Sequence, residues 1–226
     1  MLDRKEIVRI LNEAQKADPD YIVFGAEKHK YKLNPLIEAA EVRAIEEKYG
    51  FTLPEDYFKF ITEIGDGGAG PDYGLYSFAD FEECNYPTNI AKRFCPHNAS
   101  AEEAKEINLR YEVYEQNKDK VFTHDDEWPY ENGFLLLGTR GCQYDFIMPV
   151  NGKHRGKVFD TDNETCFYLV AKNFNEFYTN WLGDIASQKL LKKAQDLEAR
   201  INALKKGTKK VKIKEVKKET KKKKKH

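Results

Sequence analysis

A chain of 226 residues, 40% apolar and 13% aromatic, is long enough to bury a substantial core, and it fits one domain with an appendage better than two full domains. No run of about 18 apolar residues occurs, which excludes a membrane-spanning helix. The formal charge of zero hides a division: residues 205–226 hold 13 Lys and 2 Glu, or +11, which leaves −11 on residues 1–204, an acidic globule with a basic tail.

Ile7, Ile10, Leu11 and Ala14 recur at helical spacing between Asp3 and Ala17, and Asp18-Pro19 stops the helix. Met1 to Glu6 lead into this pattern without the apolar core of a signal peptide, so the expected location is cytoplasmic. Tyr21 to Gly25 form a short apolar run, and a second helix is expected from Leu36 to Tyr49, ended by Gly50. Pro54 suits a first helical position, with Glu55 and Asp56 beside the positive helix end. Tyr57, Phe60, Ile61 and Ile64 then make one apolar face, and Gly65 is expected to close the helix in the left-handed region. Gly65 to Gly70 hold four glycines in six positions, a loop rather than regular structure.

Tyr76, Ser77, Phe78 and Phe81 begin a strand or an ordered loop. Ser100 with Glu103 is a capping-box signature before Ala104, Ile107, Tyr111 and Tyr114, and Thr123 to Pro129 read as an acidic turn. Phe134 to Leu137 are a buried strand candidate closed by Gly138. From Gln143 to Val150, Tyr144, Phe146 and Met148 alternate with more polar neighbours, the period of a sheet with one covered face. Asn151-Gly152 is a hairpin signal, Lys157 to Phe159 return, and Cys166 to Val170 follow after a turn over Asp160 to Glu164. Asn173, with Glu176 three residues on, caps a last core helix carrying Phe174, Phe177, Tyr178 and Trp181. The expected fold class is therefore α+β, a mostly antiparallel twisted sheet flanked by helices.

Catalytic and metal readings are weaker. Cys84, Cys95, Cys142 and Cys166 lack paired spacing, so free and mostly buried thiols are expected. His124, Asp125, Asp126 and Glu127 are consecutive and cannot converge on one ion unaided. A Cys142 pair with His124 or His154 competes with a small residue beside a tight turn, and the glycine loop lacks the ending of a phosphate-binding loop. The expectation is no enzyme, no cofactor and no metal.

Leu53-Pro54-Glu55-Asp56-Tyr57 followed by Gly65-Asp66-Gly67-Gly68 resembles the first signature of the SUKH superfamily, the Smi/Knr-type domain. Gly68-Ala69-Gly70-Pro71-Asp72-Tyr73-Gly74 is similar to its bacterial extension. So are Phe24-Gly25-Ala26, His29, Tyr31, Leu33 and Pro35 upstream, Leu135 to Gly141, and the aromatic helix to Leu182. Asp66 stands where the family has Asn, and Cys142-Gln143 where many members have small residues. The resemblance spans residues 1–183; residues 184–206 form an amphipathic helix and residues 207–226 a Lys-rich tail, expected to be disordered.

The resemblance implies a protein-binding module, an immunity protein that neutralises a cognate toxin of the nuclease or deaminase type. Such a toxin presents a cationic cleft, which carboxylates can match. Partner contact is expected at Asp66, Gly67, Gly68, Asp72, Tyr73, Asp80, Glu82, Glu83, Asp125, Asp126 and Glu127. The alternatives are a regulatory adaptor, or a polyanion or nucleic-acid binder acting through the tail. Leu190, Ala194, Leu197, Ile201 and Leu204 step by four and three, so the chain is expected as a monomer or a weak dimer through this helix.

Overall fold

Asp3 opens the first helix, α1 (Arg4–Ala17), its carboxylate accepting the Lys5 amide at 3.2 Å. Ile7 and Leu11 bury the inner face of α1, and Asp18 ends it. The computed structural model describes residues 3–85, 87–94, 102, 105, 132–161 and 167–205. The expected capping box at Ser100, the acidic turn over 123–129, Cys95, Cys166 and the tail from 207 lie outside them.

A short helix, α2 (Ala26–His29), follows an apolar loop, and α3 (Ala39–Tyr49) begins three residues later than its sequence suggests. Ile37 explains the delay: it is buried, and its amide donates to Ile61 O at 3.3 Å, holding the chain extended where a helix would start. Pro54 is the cap of α4 (Glu55–Lys59) rather than its first helical residue. α4 continues directly into a π-helical turn, Phe60–Ile64, and the Gly65 amide donates to Phe60 O at 3.0 Å. The four predicted apolar residues, Tyr57, Phe60, Ile61 and Ile64, are all buried.

Gly65 corrects an expectation. Its φ is 176°, extended and not left-handed, and glycine is required there because a Cβ would lie 2.9 Å from Leu33 Cβ. Tyr76 to Ser77 lead not into a strand but into a 3₁₀ turn, Phe78–Asp80, and a short helix, α5 (Phe81–Cys84).

The sheet is an antiparallel meander in the order β1 (Phe134–Gly141), β2 (Tyr144–Pro149), β3 (Val158–Thr161), β4 (Phe167–Ala171). β1 does not stop at Gly138 but runs on to a tight turn at Cys142 and Gln143, both with positive φ. Asn151-Gly152 opens a 3₁₀ turn, Gly152–His154, instead of a two-residue hairpin. Asn151 is occupied elsewhere: its Oδ1 accepts the Phe94 amide at 3.1 Å and its Nδ2 donates to Lys92 O at 2.5 Å.

Both sheet faces are covered, where the alternation suggested one. Phe146 and Met148 join the main core, while Ile147, fully buried, packs with Phe94, Phe134, Phe159 and Phe167 in a second cluster. α6 (Phe174–Ala186) closes the main core as expected, capped by Asn173, which accepts the Glu176 amide at 2.8 Å. Its Phe174 and Tyr178 meet Phe60 at ring distances of 4.9 and 4.6 Å. A last helix, α7, covers residues 189–205; Leu190, Leu191 and Ala194 rest against the core. No helix among the described residues is long and apolar enough to cross a membrane.

Candidate protein-interaction surfaces

The glycine loop lies inside the fold. Asp66 is 3% exposed. Its Oδ1 accepts the Phe78 amide at 2.7 Å, and its Oδ2 accepts the Ala79 amide at 3.0 Å and the Ser77 hydroxyl at 2.6 Å. The charge therefore caps the helical segment 78–84 instead of facing outward. Gly67 is buried, and Gly68 bridges two extended neighbours, Leu33 and Leu75. This geometry turns Asp66, Gly67 and Gly68 from expected contacts into the frame beneath the 71–74 loop.

Asp72 and Tyr73 lie half-buried beyond that frame, at the rim of a cleft of about 840 Å³. Tyr73 packs on Phe24 at a ring distance of 5.0 Å, and Phe24 is 59% exposed. Arg140 of β1 donates to Asp72 Oδ2 at 2.8 Å and also to Asp160 of β3, tying the 71–74 loop to the sheet. The second oxygen of Asp160 is buried without a hydrogen-bond partner, and burial raises its carboxyl above the ordinary range despite Arg140 beside it. Cys142 is exposed at the same rim and Cys84 is half-buried; both are free, so the expected buried thiol at Cys142 is corrected.

His29 forms part of the cleft wall. Its Nδ1 accepts the Tyr31 amide at 3.0 Å, and its ring stands edge-on to Trp181 at 6.0 Å. Burial pushes its pKa down to about 4. The folded value lies below the unfolded one, so its full contribution is present above about pH 6.5 and is lost as pH falls toward about 4. At pH 5 that loss amounts to about 2 kcal/mol. Urea unfolding at about pH 7.5 and about pH 5 checks it: the wild type should lose about 2 kcal/mol more than His29→Gln. Equal losses would contradict the assignment.

Of the other expected acids, Asp80, Glu82 and Glu83 are exposed, and Glu82 reaches α3. Glu82 bridges the two elements, accepting from Lys48 Nζ at 2.5 Å and from the Tyr49 hydroxyl at 2.7 Å. Both contacts hold its carboxyl below the usual range. Beneath, Phe81 packs on Tyr49 and Phe51 at 5.3 and 5.5 Å. Glu41 lies on the helical stripe of Lys48, seven residues back, with Glu38 three before it. α3, its cap and segment 78–84 thus expose six carboxylates (Glu38, Glu41, Glu47, Asp80, Glu82, Glu83) against Arg43 and Lys48. Arg43 is engaged by the buried Glu46 at 2.5 Å and stacks on Phe58.

The expected set is thus split: Asp72 lines the cleft with Tyr73 packed beside it on Phe24, Asp80, Glu82 and Glu83 are exposed on segment 78–84, and Asp125, Asp126 and Glu127 lie outside the described residues. Sequence reasoning assigned no role to Arg140, gave Trp181 only a core role, and did not place α3 beside Glu82. The stripe at Glu38, Glu41 and Lys48 was a readable signal; its pairing with segment 78–84 was not. Among the described residues, no group of three or more His, Cys, Asp or Glu is placed to hold a metal ion.

The profile of the SMI1 / KNR4 family (SUKH-1) matches residues 36–180, from the approach to α3 into α6. The Phe24 to Pro35 segment and α7 fall outside the match. No curated protein matches the chain.

Proposed function

Because the chain belongs to the SMI1 / KNR4 family (SUKH-1), a family of immunity-protein-like domains, we propose that it binds and neutralises a cognate toxin domain of the nuclease or deaminase type, with no chemistry of its own. The observation that carries this reading is the acidic face of α3 and segment 78–84. A toxin acting on nucleic acid must present cations to phosphates. Exposed carboxylates compete for the same cations, speed encounter and penalise wrong partners. The face is supported from within, since Asp66 fixes segment 78–84 and the aromatic pairs of Phe81 hold it against α3.

Co-expression with the C-terminal domain of the product of the reading frame immediately upstream, which on this reading is a long secreted protein, tests the proposal. The wild-type chain should restore growth. Asp80→Lys, Glu82→Lys and Glu83→Lys combined should weaken the complex by about a hundredfold or more, while the fold persists, Glu82 losing only its exposed contacts to Lys48 and Tyr49. Rescue by the reversed variant equal to wild type, or no complex with either, would count against it. The basic segment 205–226, +11 in charge, favours a second contact with a polyanion. Removing residues 207–226 should abolish retention on immobilised RNA or DNA and leave growth rescue intact.

A further inference from the structure

The cleft face is distinct in character from the acidic face. Five large apolar side chains, Phe24, Tyr144, Val170, Leu197 and Ile201, each 40–59% exposed, gather along it, and all five line the cleft. They come from four separate parts of the chain: the 22–26 loop, the start of β2, β4 and α7. Contiguous exposure of this kind marks an interaction site more often than scattered single residues do.

α7 carries the same message. Leu190, Leu191 and Ala194 seat its first half on the domain. The seam with four- and three-residue steps then continues through Leu197 and Ile201, which the domain does not cover. The half-used seam is an apolar stripe with room for an occupant.

Charge decides which occupant fits. Residues 1–204 carry −11, so two copies repel over most of their surface. The charged residues lining the cleft are nearly balanced: Asp72, Asp184 and Glu198 against Arg140 and Lys193. Two of the three carboxylates are already engaged, Asp72 by Arg140 and Asp184 by Lys189. A cationic segment therefore finds little free negative charge there. A two-fold pairing presses a patch against its own copy, which requires both signs in near balance around an apolar centre.

We propose that the cleft face, centred on Leu197 and Ile201 of α7 and Phe24, pairs with the same face of a second copy of this chain. With each of the five residues about half exposed, the patch offers on the order of 450 Å² per copy, so a pair buries about 900 Å², below the range of stable specific interfaces and in that of weak, transient ones. The dimer is therefore weak and concentration-dependent, and it leaves the acidic face open for a partner.

Sedimentation of the full chain from about 10 to about 500 µM tests this range of affinity. The average mass should climb from one chain toward two. Leu197→Glu with Ile201→Glu, and separately Phe24→Lys, should remain monomeric with unchanged circular dichroism, weakening association by about tenfold or more. Val8→Glu, at an exposed apolar site on α1, should dimerise as the wild type does, and so should the chain ending at residue 206. A wild type that stays monomeric throughout would overturn the proposal. So would either cleft variant dimerising with the wild-type constant, or association lost on removing residues 207–226, which would assign the contact to the tail. Growth rescue by the monomeric variants is a separate readout and tests only the toxin reading.

Discussion

Replacing Asp66 with alanine should destabilise the protein by about 4 kcal/mol, measured as the shift in the urea unfolding midpoint. The carboxylate is almost fully buried and accepts three hydrogen bonds from Ser77, Phe78 and Ala79. Bonds to a charged group contribute about 1.5–3 kcal/mol each, but removing the charge also removes its own desolvation cost, so the loss falls short of their sum. What remains is two backbone amides at the start of segment 78–84 without acceptors. Asp66→Asn keeps one acceptor and turns an amide donor toward other donors; about 2 kcal/mol is expected. A loss below about 1 kcal/mol for alanine would refute the account of the frame. On the proposed reading the consequence reaches function, because this segment carries Asp80, Glu82 and Glu83.

Gly68→Ala should cost a similar amount, about 4 kcal/mol, whereas Gly152→Ala should cost about 1 kcal/mol. Both glycines have positive φ, 87° and 66°, so the backbone strain of a side chain is common to the two. Space separates them. A Cβ on Gly68 would lie 2.5 Å from Lys32 O and 2.8 Å from Asn34 N, while one on Gly152 meets nothing within 4 Å. The obstructing atoms are backbone and cannot swing aside. Lys32 O accepts the Ala69 amide at 2.7 Å, and Asn34 N donates to Gly67 O at 3.1 Å, so both are tied to the loop itself. Thermal unfolding of the two variants side by side separates steric exclusion from φ strain; equal shifts would refute it.

What the sequence made legible was local. The helical spacing between Asp3 and Ala17, the Asn173 cap, the spacing of Tyr57 to Ile64 and the aromatic face of α6 depend on neighbours within one or two turns, and each appears as expected. Gly65 was misjudged because its reason is contact with Leu33, 32 residues earlier in sequence. Asp66 reads as surface by composition, since a charged residue in a glycine-rich loop is normally solvated. Its donors sit 11–13 residues away and become neighbours only when the loop folds back. The second apolar cluster was hidden for a related reason: Ile147 is one apolar residue between Phe146 and Met148, and alternation assigns only one of the two sets to a core. For the candidate site, residue type was readable and grouping was not. Nothing local indicates that Glu82 reaches Lys48 while Asp72 turns to Arg140.

Titrating the chain with the purified toxin-like domain at increasing salt tests the central claim most directly, because a row of carboxylates facing cations must lose affinity as counterions screen it. The account predicts that affinity falls by about tenfold or more between about 0.05 and about 0.5 M salt, and that the Asp80, Glu82 and Glu83 reversal removes both the affinity and most of the salt dependence. Binding indifferent to salt and unchanged by the triple reversal would contradict it.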